Sequence, residues 1–350
     1  MRIMVAGGAG YIGSALVPML LERGYDVDVV DLLWFGNHLP EGARLIEKDL
    51  FACDEGDLDG YDQVIFLAGL SNDPMAEFNP TMNFVHNGAL PSYLAYEAKR
   101  AGVKRFVYAS SCSVYGYTVE ELCDEDAPAV CAYPYGISKL QGERGVMQLR
   151  DEAFSAIALR QGTVCGYSPR MRFDLIVNTM YRTAVADGQI TINNPSIWRP
   201  IIAIQDTCSA FLRAVQADLS ISGVFNVASG NFTVGQVGDI VKDELEELTG
   251  RKVRLNLKNV QDFRNYKATW EKARTMLGFL PKHGIADIVR DLHTHRDEYG
   301  DFAEKAYYNI AVFTELMESG GAADRPRKRA TKKKRKKKAR KKGAPRASRR

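Results

Sequence analysis

RIMVAGGAGYIGS, residues 2–14, reads as a strand, a tight turn and the first turn of a helix. Arg2 to Ala6 is a short apolar run with β-branched residues, a glycine-rich stretch runs from Gly7 to Gly13, and Ser14 to Arg23 carries helical periodicity that ends at Gly24. Placed between strand and helix, Gly7, Gly10 and Gly13 let a backbone without side chains turn sharply and approach a pyrophosphate at the helix N-terminus, with Tyr11 and Ile12 on the same turn. A second apolar strand, Asp26 to Val30, closes at Asp31, about twenty residues on, where a carboxylate can accept hydrogen bonds from a ribose diol. A carboxylate there also repels the 2′-phosphate of NADP, so the pattern points to NAD.

Working outward, Gln63 to Leu67, Arg105 to Ala109 and Phe154 to Leu159 read as further buried strands, separated by helical stretches at Leu90 to Ala101 and Ser138 to Leu149. Strands alternating with helices imply a doubly wound parallel sheet with helices on both faces. Beyond Thr163 come a Pro- and Arg-rich loop (Tyr167 to Arg172), a helix (Leu175 to Ala186), a short strand (Ile190 to Ile192) and a core strand near Val224 to Val227. From Thr233 to about Leu316, helices with one strand at Lys252 to Leu257 suit a smaller cap. The expected division is a dinucleotide-binding domain over 1–165, rejoined by about 200–230, a substrate-binding cap over 166–199 and 231–318, and a disordered basic tail over 319–350.

Charge and cysteine usage narrow the class. Residues 325–350 hold seventeen Lys or Arg and no acid, so the formal net charge of +4 hides a body with 30 basic against 43 acidic residues. Nothing in the body's composition asks for nucleic acid. The tail is expected to attract polyanions without sequence preference, and it has no aromatic residue for stacking on bases. Cys53, Cys112, Cys123, Cys131, Cys165 and Cys208 form no CxxC pair and no zinc-ligand spacing with histidine, which fits reduced thiols, no metal and a cytoplasmic setting. No apolar run is long enough for a membrane span.

Tyr135 and Lys139 are four apart, which puts them on one face of a helix. An ammonium near the phenol favours the phenolate, lowering a pKa that starts near 10 so that Tyr135 can exchange a proton with a hydroxyl. A hydroxyl partner, Ser111, lies upstream in the SSCSVYG stretch, residues 110–116.

The GxxGxxG spacing, SSCSVYG and the Tyr-x-x-x-Lys pair together resemble the extended short-chain dehydrogenase/reductase family, and the likeness runs along most of residues 1–315. The resemblance implies a Rossmann-type sheet with a smaller α/β cap, NAD, a nucleotide-diphosphate sugar as substrate, and a homodimer through the helices at Leu90 to Ala101 and Ser138 to Leu149. It implies that Ser111, Tyr135 and Lys139 are catalytic and that Asp49 and Leu50 contact the adenine. Leu67, Ala68 and Gly69 would line the cofactor, in a stretch where Phe66 replaces the usual histidine, and Asn87 matches the asparagine on the following helix.

Within this family, 4,6-dehydratases and UDP-glucuronate decarboxylases carry an acid just before Val-Tyr-Gly, where this chain has Cys112 and Ser113. The difference resembles the 4-epimerases, which need reversible hydride transfer at one carbon. GDP-fucose synthases place a cysteine at the position of Ser113, one place after Cys112, so Cys112 is read as a packed thiol. Arg199 in WRPIIAIQD resembles the arginine that holds the nucleotide diphosphate, while Asn178 and Arg264 resemble further substrate contacts. Thr163 stands where many relatives have asparagine, and SPRMR, residues 168–172, has no assigned role. The expected activity is a nucleotide-sugar 4-epimerase. Its rivals are a 4-ketoreductase or sugar dehydrogenase using the same three residues, and a non-catalytic NAD-binding or RNA-associated relative, against which the intact Ser111, Tyr135 and Lys139 set argues.

Overall fold

The computed structural model describes residues 1–258 and 264–319, except for the side chains of 119–121. The expected basic tail lies outside the described residues. Seven parallel strands form the central sheet: β1 (Arg2–Ala6), β2 (Asp26–Asp31), β3 (Arg44–Glu47), β4 (Gln63–Phe66), β5 (Arg105–Ser111), β6 (Ser155–Gln161) and β7 (Gly223–Val227). Their order is β7-β6-β5-β4-β1-β2-β3. The direction of strand addition reverses between β1 and β4, and that reversal opens a crevice at the carboxyl ends of the strands.

Both sheet faces are covered, which is why these strands read as nearly continuous apolar runs. Ile3, Val5, Val29, Ile65, Val107 and Ile157 point to α1 (Gly13–Glu22) and a helix at Ile204–Gln216, while Met4, Ala6, Val64, Phe106 and Ala156 point to α2 (Leu90–Arg100) and α3 (Pro134–Met147). Each large side chain so buried contributes about 1.5–3 kcal/mol. The first apolar cluster continues without a break into Val237, Ile288 and Leu292 outside the sheet. Pro134 starts α3 earlier than expected at Ser138, because a proline at the first helical position loses no hydrogen bond and has its φ preset. Tyr135 therefore sits in the first turn and Lys139 one turn on.

The helix at Ile204–Gln216, α4, together with β7, completes the sheet from downstream. Arg105 on β5 is fully buried, and its guanidinium donates to the carbonyls of Ala214 (2.9 Å), Ala217 (2.6 Å) and Ile221 (3.3 Å) just where α4 ends. Those carbonyls lack helical partners and carry the negative end of the helix dipole, so a buried cation is stable there.

Outside the sheet, Trp198–Ala203 pairs parallel with Thr163–Cys165 and antiparallel with Gly230–Thr233, and Gln189–Asn193 pairs parallel with Arg254–Lys258. The single strand expected after Thr233 needs correction. A second one, Asn265–Ala268, pairs with Tyr117–Cys123, and neither has a periodic pattern of its own because each is specified by a partner far away in sequence.

Candidate active site

One cavity of about 640 Å³ runs along the carboxyl ends of the strands. It is lined at one end by Gly7, Gly10, Tyr11, Ile12, Gly13 and Asp31, in the middle by Ser111 and Tyr135, and at the other end by Arg199 and Arg264. The sequence spreads these residues from Gly7 to Arg264, and the strand order brings them together.

At the glycine end, a Cβ on Gly7 (φ +79°) would lie 2.5 Å from the backbone of Ala68, and one on Gly13 would collide with the backbone of Gly8. Gly10 is different: a Cβ there would come no nearer than 3.4 Å to any atom, so its missing side chain is not needed for packing. α1 starts at this turn with no side-chain cap and no acid in its first turn; the N–H groups of Ser14, Ala15 and Leu16 are taken by Gly10 O and Ile12 O, and the positive dipole end meets the cavity. Asp31 accepts from the N–H of Ala9 (3.0 Å) and of Leu33 (2.8 Å). Burial raises its pKa, and those backbone bonds oppose the rise. Asp49 and Leu50 line the same end, with Asp49 capping a short helical turn by accepting from Phe51 N (2.9 Å).

Leu67, Ala68 and Gly69 form the wall after β4, and Phe66 fills the apolar layer against Phe106 and Tyr108. Asn87 does not line the cavity. It is fully buried behind that wall, donating to Leu70 O (2.8 Å) and Asn83 Oδ1 (2.9 Å), and a side chain on Gly69 would collide with its Oδ1. Its place is to shape the loop.

Ser111 ends β5, where its Oγ accepts from the N–H of Ser113 (3.2 Å) and from Ser113 Oγ (2.9 Å). With acceptor capacity so used, its own proton is left to donate. Burial pushes the Tyr135 phenol up to about 12, the Asp73 carboxylate adds to the rise, and Ser111 opposes it. The expected lowering of this phenol is thus reversed by desolvation. Lys139 is pushed down to about 7 by burial, with Glu143 opposing, and its ammonium lies 4.6 Å from the centre of the Tyr108 ring. Both charged forms are disfavoured because both groups leave water. Cys112 is a packed thiol as expected: it is fully buried, donates to Arg160 O (3.1 Å), and burial raises its pKa.

At the far end, Arg199 donates to the carbonyls of Trp198 (2.8 Å) and Arg264, and Arg264 pairs with Asp73 (2.8 Å). Asn178 lies away from the cavity, fully buried, where it accepts from Gly166 N (3.0 Å) and donates to Arg172 O (2.8 Å). It braces the loop that carries Arg170 and Arg172, and those two arginines face the cavity. Sequence reading missed them, and it missed Asn72 and Asp73. The SPRMR charge run was the available signal for the arginines; Asp73 gave none, since an Asn-Asp-Pro stretch also reads as an ordinary helix start.

The residues fit a dinucleotide. A glycine turn filled by its own backbone, an uncapped helix start and a carboxylate at the end of β2 share one cleft, while Lys139 lies buried outside its lining, one helical turn behind Tyr135. Among the described residues no group of side chains has metal-binding character and no helix is long and apolar enough to cross a membrane.

Comparison with known proteins agrees. The model of the NAD dependent epimerase/dehydratase family matches residues 3–228. The UDP-glucose 4-epimerase of Corynebacterium glutamicum is 27% identical over 330 residues, covering 87% of this chain and 99% of its own. Among solved structures, MoeE5 in complex with UDP-glucuronic acid and NAD superposes with a TM-score of 0.76 at 27% identity, covering 85% of this chain and 100% of its own. The UDP-glucose 4-epimerase of Thermotoga maritima, solved with UDP-glucose, gives 0.75 at 25% identity, covering 85% and 99%. The chain belongs to the NAD-dependent epimerase/dehydratase family, with NAD as its cofactor.

Proposed function

We propose that this enzyme is a nucleotide-sugar 4-epimerase, inverting one carbon of a sugar through a 4-keto intermediate. The observation that carries this reading is the environment before Val114. Ser113 spends its hydroxyl on Ser111, and Cys112 is sealed against Arg160 O. Neither offers the carboxylate that an elimination would use to shuttle a proton, and Asp73 is paired with Arg264. What is left is proton and hydride exchange at a single carbon.

NAD, when bound along α1, supplies a reversible hydride acceptor. Tyr135 takes the proton of the C4 hydroxyl while Ser111 donates to the same oxygen. Burial favours the neutral phenol and the neutral amine alike, so catalysis requires the occupied site to shift Tyr135 towards the phenolate and Lys139 towards the ammonium. Arg199 and Arg264, with fork-shaped donors suited to phosphate oxygens, hold the nucleotide diphosphate while the keto sugar turns over. The same reading includes a homodimer and a cytoplasmic setting.

The test is conversion of UDP-glucose, UDP-glucuronic acid and UDP-N-acetylglucosamine, each deuterated at C4, with no added reductant. Epimerisation predicts a C4 epimer that retains the deuterium and no accumulation of NADH. Stoichiometric NADH with oxidised product, or turnover only with added NADH, would instead make the enzyme a dehydrogenase or ketoreductase.

A further inference from the structure

We infer that Arg170 is a cofactor-binding residue that clamps the NAD diphosphate from the side opposite the glycine turn. It rests on the family's cofactor and not on the reaction at C4.

Arg170 lines the cavity and is only 2% exposed. A guanidinium so deeply placed should be paired, and the neighbouring Arg172 is, with both arms on Asp174 at 2.8 and 2.9 Å. Among the described residues Arg170 has no carboxylate partner, and its Nε has no hydrogen bond at all. Burial and the nearby Arg172 lower its pKa to about 9, the direction expected of a cation that lacks its anion.

Its position says which anion. The backbone N–H of Arg170 donates to Ser14 Oγ (3.3 Å) in the first turn of α1. Its guanidinium lies 3.8 Å from the centre of the Phe35 ring, on the loop after β2. Nη2 donates to Asn309 Oδ1 (2.6 Å), and Asn309 in turn donates to Ser71 Oγ (2.9 Å), on the loop after β4. The three loops around Arg170 are thus those after β1, β2 and β4, the strands whose ends hold a dinucleotide, and Gly10 leaves its space open beside them. The N-terminus of α1 supplies one half of an anion site, and Arg170, set over the Phe35 ring and hydrogen-bonded to Asn309, supplies the other. A diphosphate is the group with enough acceptor oxygens to satisfy both. The substrate diphosphate belongs with Arg199 and Arg264 at the other end.

The full-length chain should be purified as wild type, Arg170→Met, Arg170→Lys and Asn309→Ala, its bound NAD extracted and counted, and its binding of NAD, ADP-ribose, adenosine and UDP titrated. Arg170→Met is expected to weaken NAD and ADP-ribose at least tenfold, to copurify with less NAD, and to leave adenosine and UDP within twofold. Arg170→Lys, a point charge without the fork, should fall between. Asn309→Ala, which only loosens the guanidinium, should weaken NAD a few fold, and it keeps the question open to measurement if the methionine variant fails to fold. With nucleotide removed, Arg170→Met should melt no lower than wild type, since it deletes a buried charge that has no partner. Unchanged NAD affinity, an equal loss for adenosine, or a loss for UDP in place of NAD would overturn the assignment.

Discussion

The two ends of the cleft are made of different material. At the end proposed for the cofactor the frame is largely backbone, a glycine turn packed on itself, the start of α1, and N–H groups that hold Asp31 in place, around the two side chains Asp31 and Arg170. At the end proposed for the substrate, the lining arginines are already engaged with other parts of the protein, Arg264 with Asp73 and Arg199 with the carbonyls of Trp198 and Arg264. A backbone-built site has few ways to rearrange and suits a ligand that stays. A site of paired charges must exchange an internal partner for the incoming one, so affinity there is a difference of similar terms, and exchange is easy.

Variants at the junction and at either end sharpen this contrast. The largest effect is expected at the junction, where Tyr135→Phe removes the proton acceptor and leaves the binding groups of both ends alone. It should lower kcat by about 10³-fold or more, with substrate affinity changed less than about threefold. A variant retaining a tenth of wild-type turnover would move the acid–base role elsewhere.

At the cofactor end, Asp31→Ala should weaken NAD by about 10–100-fold, the worth of hydrogen bonds to a charged acceptor. It should also narrow the preference for NAD over NADP. An unchanged ratio of the two affinities would show that Asp31 serves only Ala9 and Leu33.

The glycines separate packing from binding. Gly13→Ala drives a methyl into the backbone of Gly8 and should cost about 2–4 kcal/mol of stability, read as a fall in Tm. Gly10→Ala, with room for its Cβ, should keep Tm within about two degrees while NAD affinity drops. Equal melting losses in both would mean that neither glycine is kept for the ligand.

The smallest effect concerns Lys139. Its folded pKa is lowered to about 7, so between that pH and about 10.4 the unfolded chain binds a proton that the folded one has released, and stability climbs with pH across that window. Wild type should gain on the order of 2 kcal/mol over Lys139→Met between pH 7 and 9 in parallel denaturant titrations. Parallel curves would show that Lys139 keeps its charge in the folded protein.

The contrast between the ends also explains what could be read in advance. Gly7, Gly10, Gly13 and Asp31 are specified within about thirty residues, because a strand, a turn and a helix start are local events, and Tyr135 and Lys139 share one helix face for the same reason. Asn87 and Asn178 fit motif positions yet lie behind the walls, since polar residues that shape a loop and polar residues that touch a ligand have the same local sequence. Asp73 was silent and Arg170 showed only as part of a charge run without a role, because their meaning depends on Phe35, Asn309 and Arg264, brought close only by the folded chain.

Arg105 sets an order of events during synthesis. Its side chain is carried on β5, third from one edge of the sheet, yet the carbonyls that receive it belong to residues as far as Ile221, 116 positions later. At about 5–20 residues per second, a ribosome needs roughly 6–23 seconds to make that stretch. Throughout that interval the nascent sheet would have to hold a cation at an unfinished edge, where β7 and α4 have yet to arrive. The buried place of Arg105 is therefore complete only once α4 and β7 have docked.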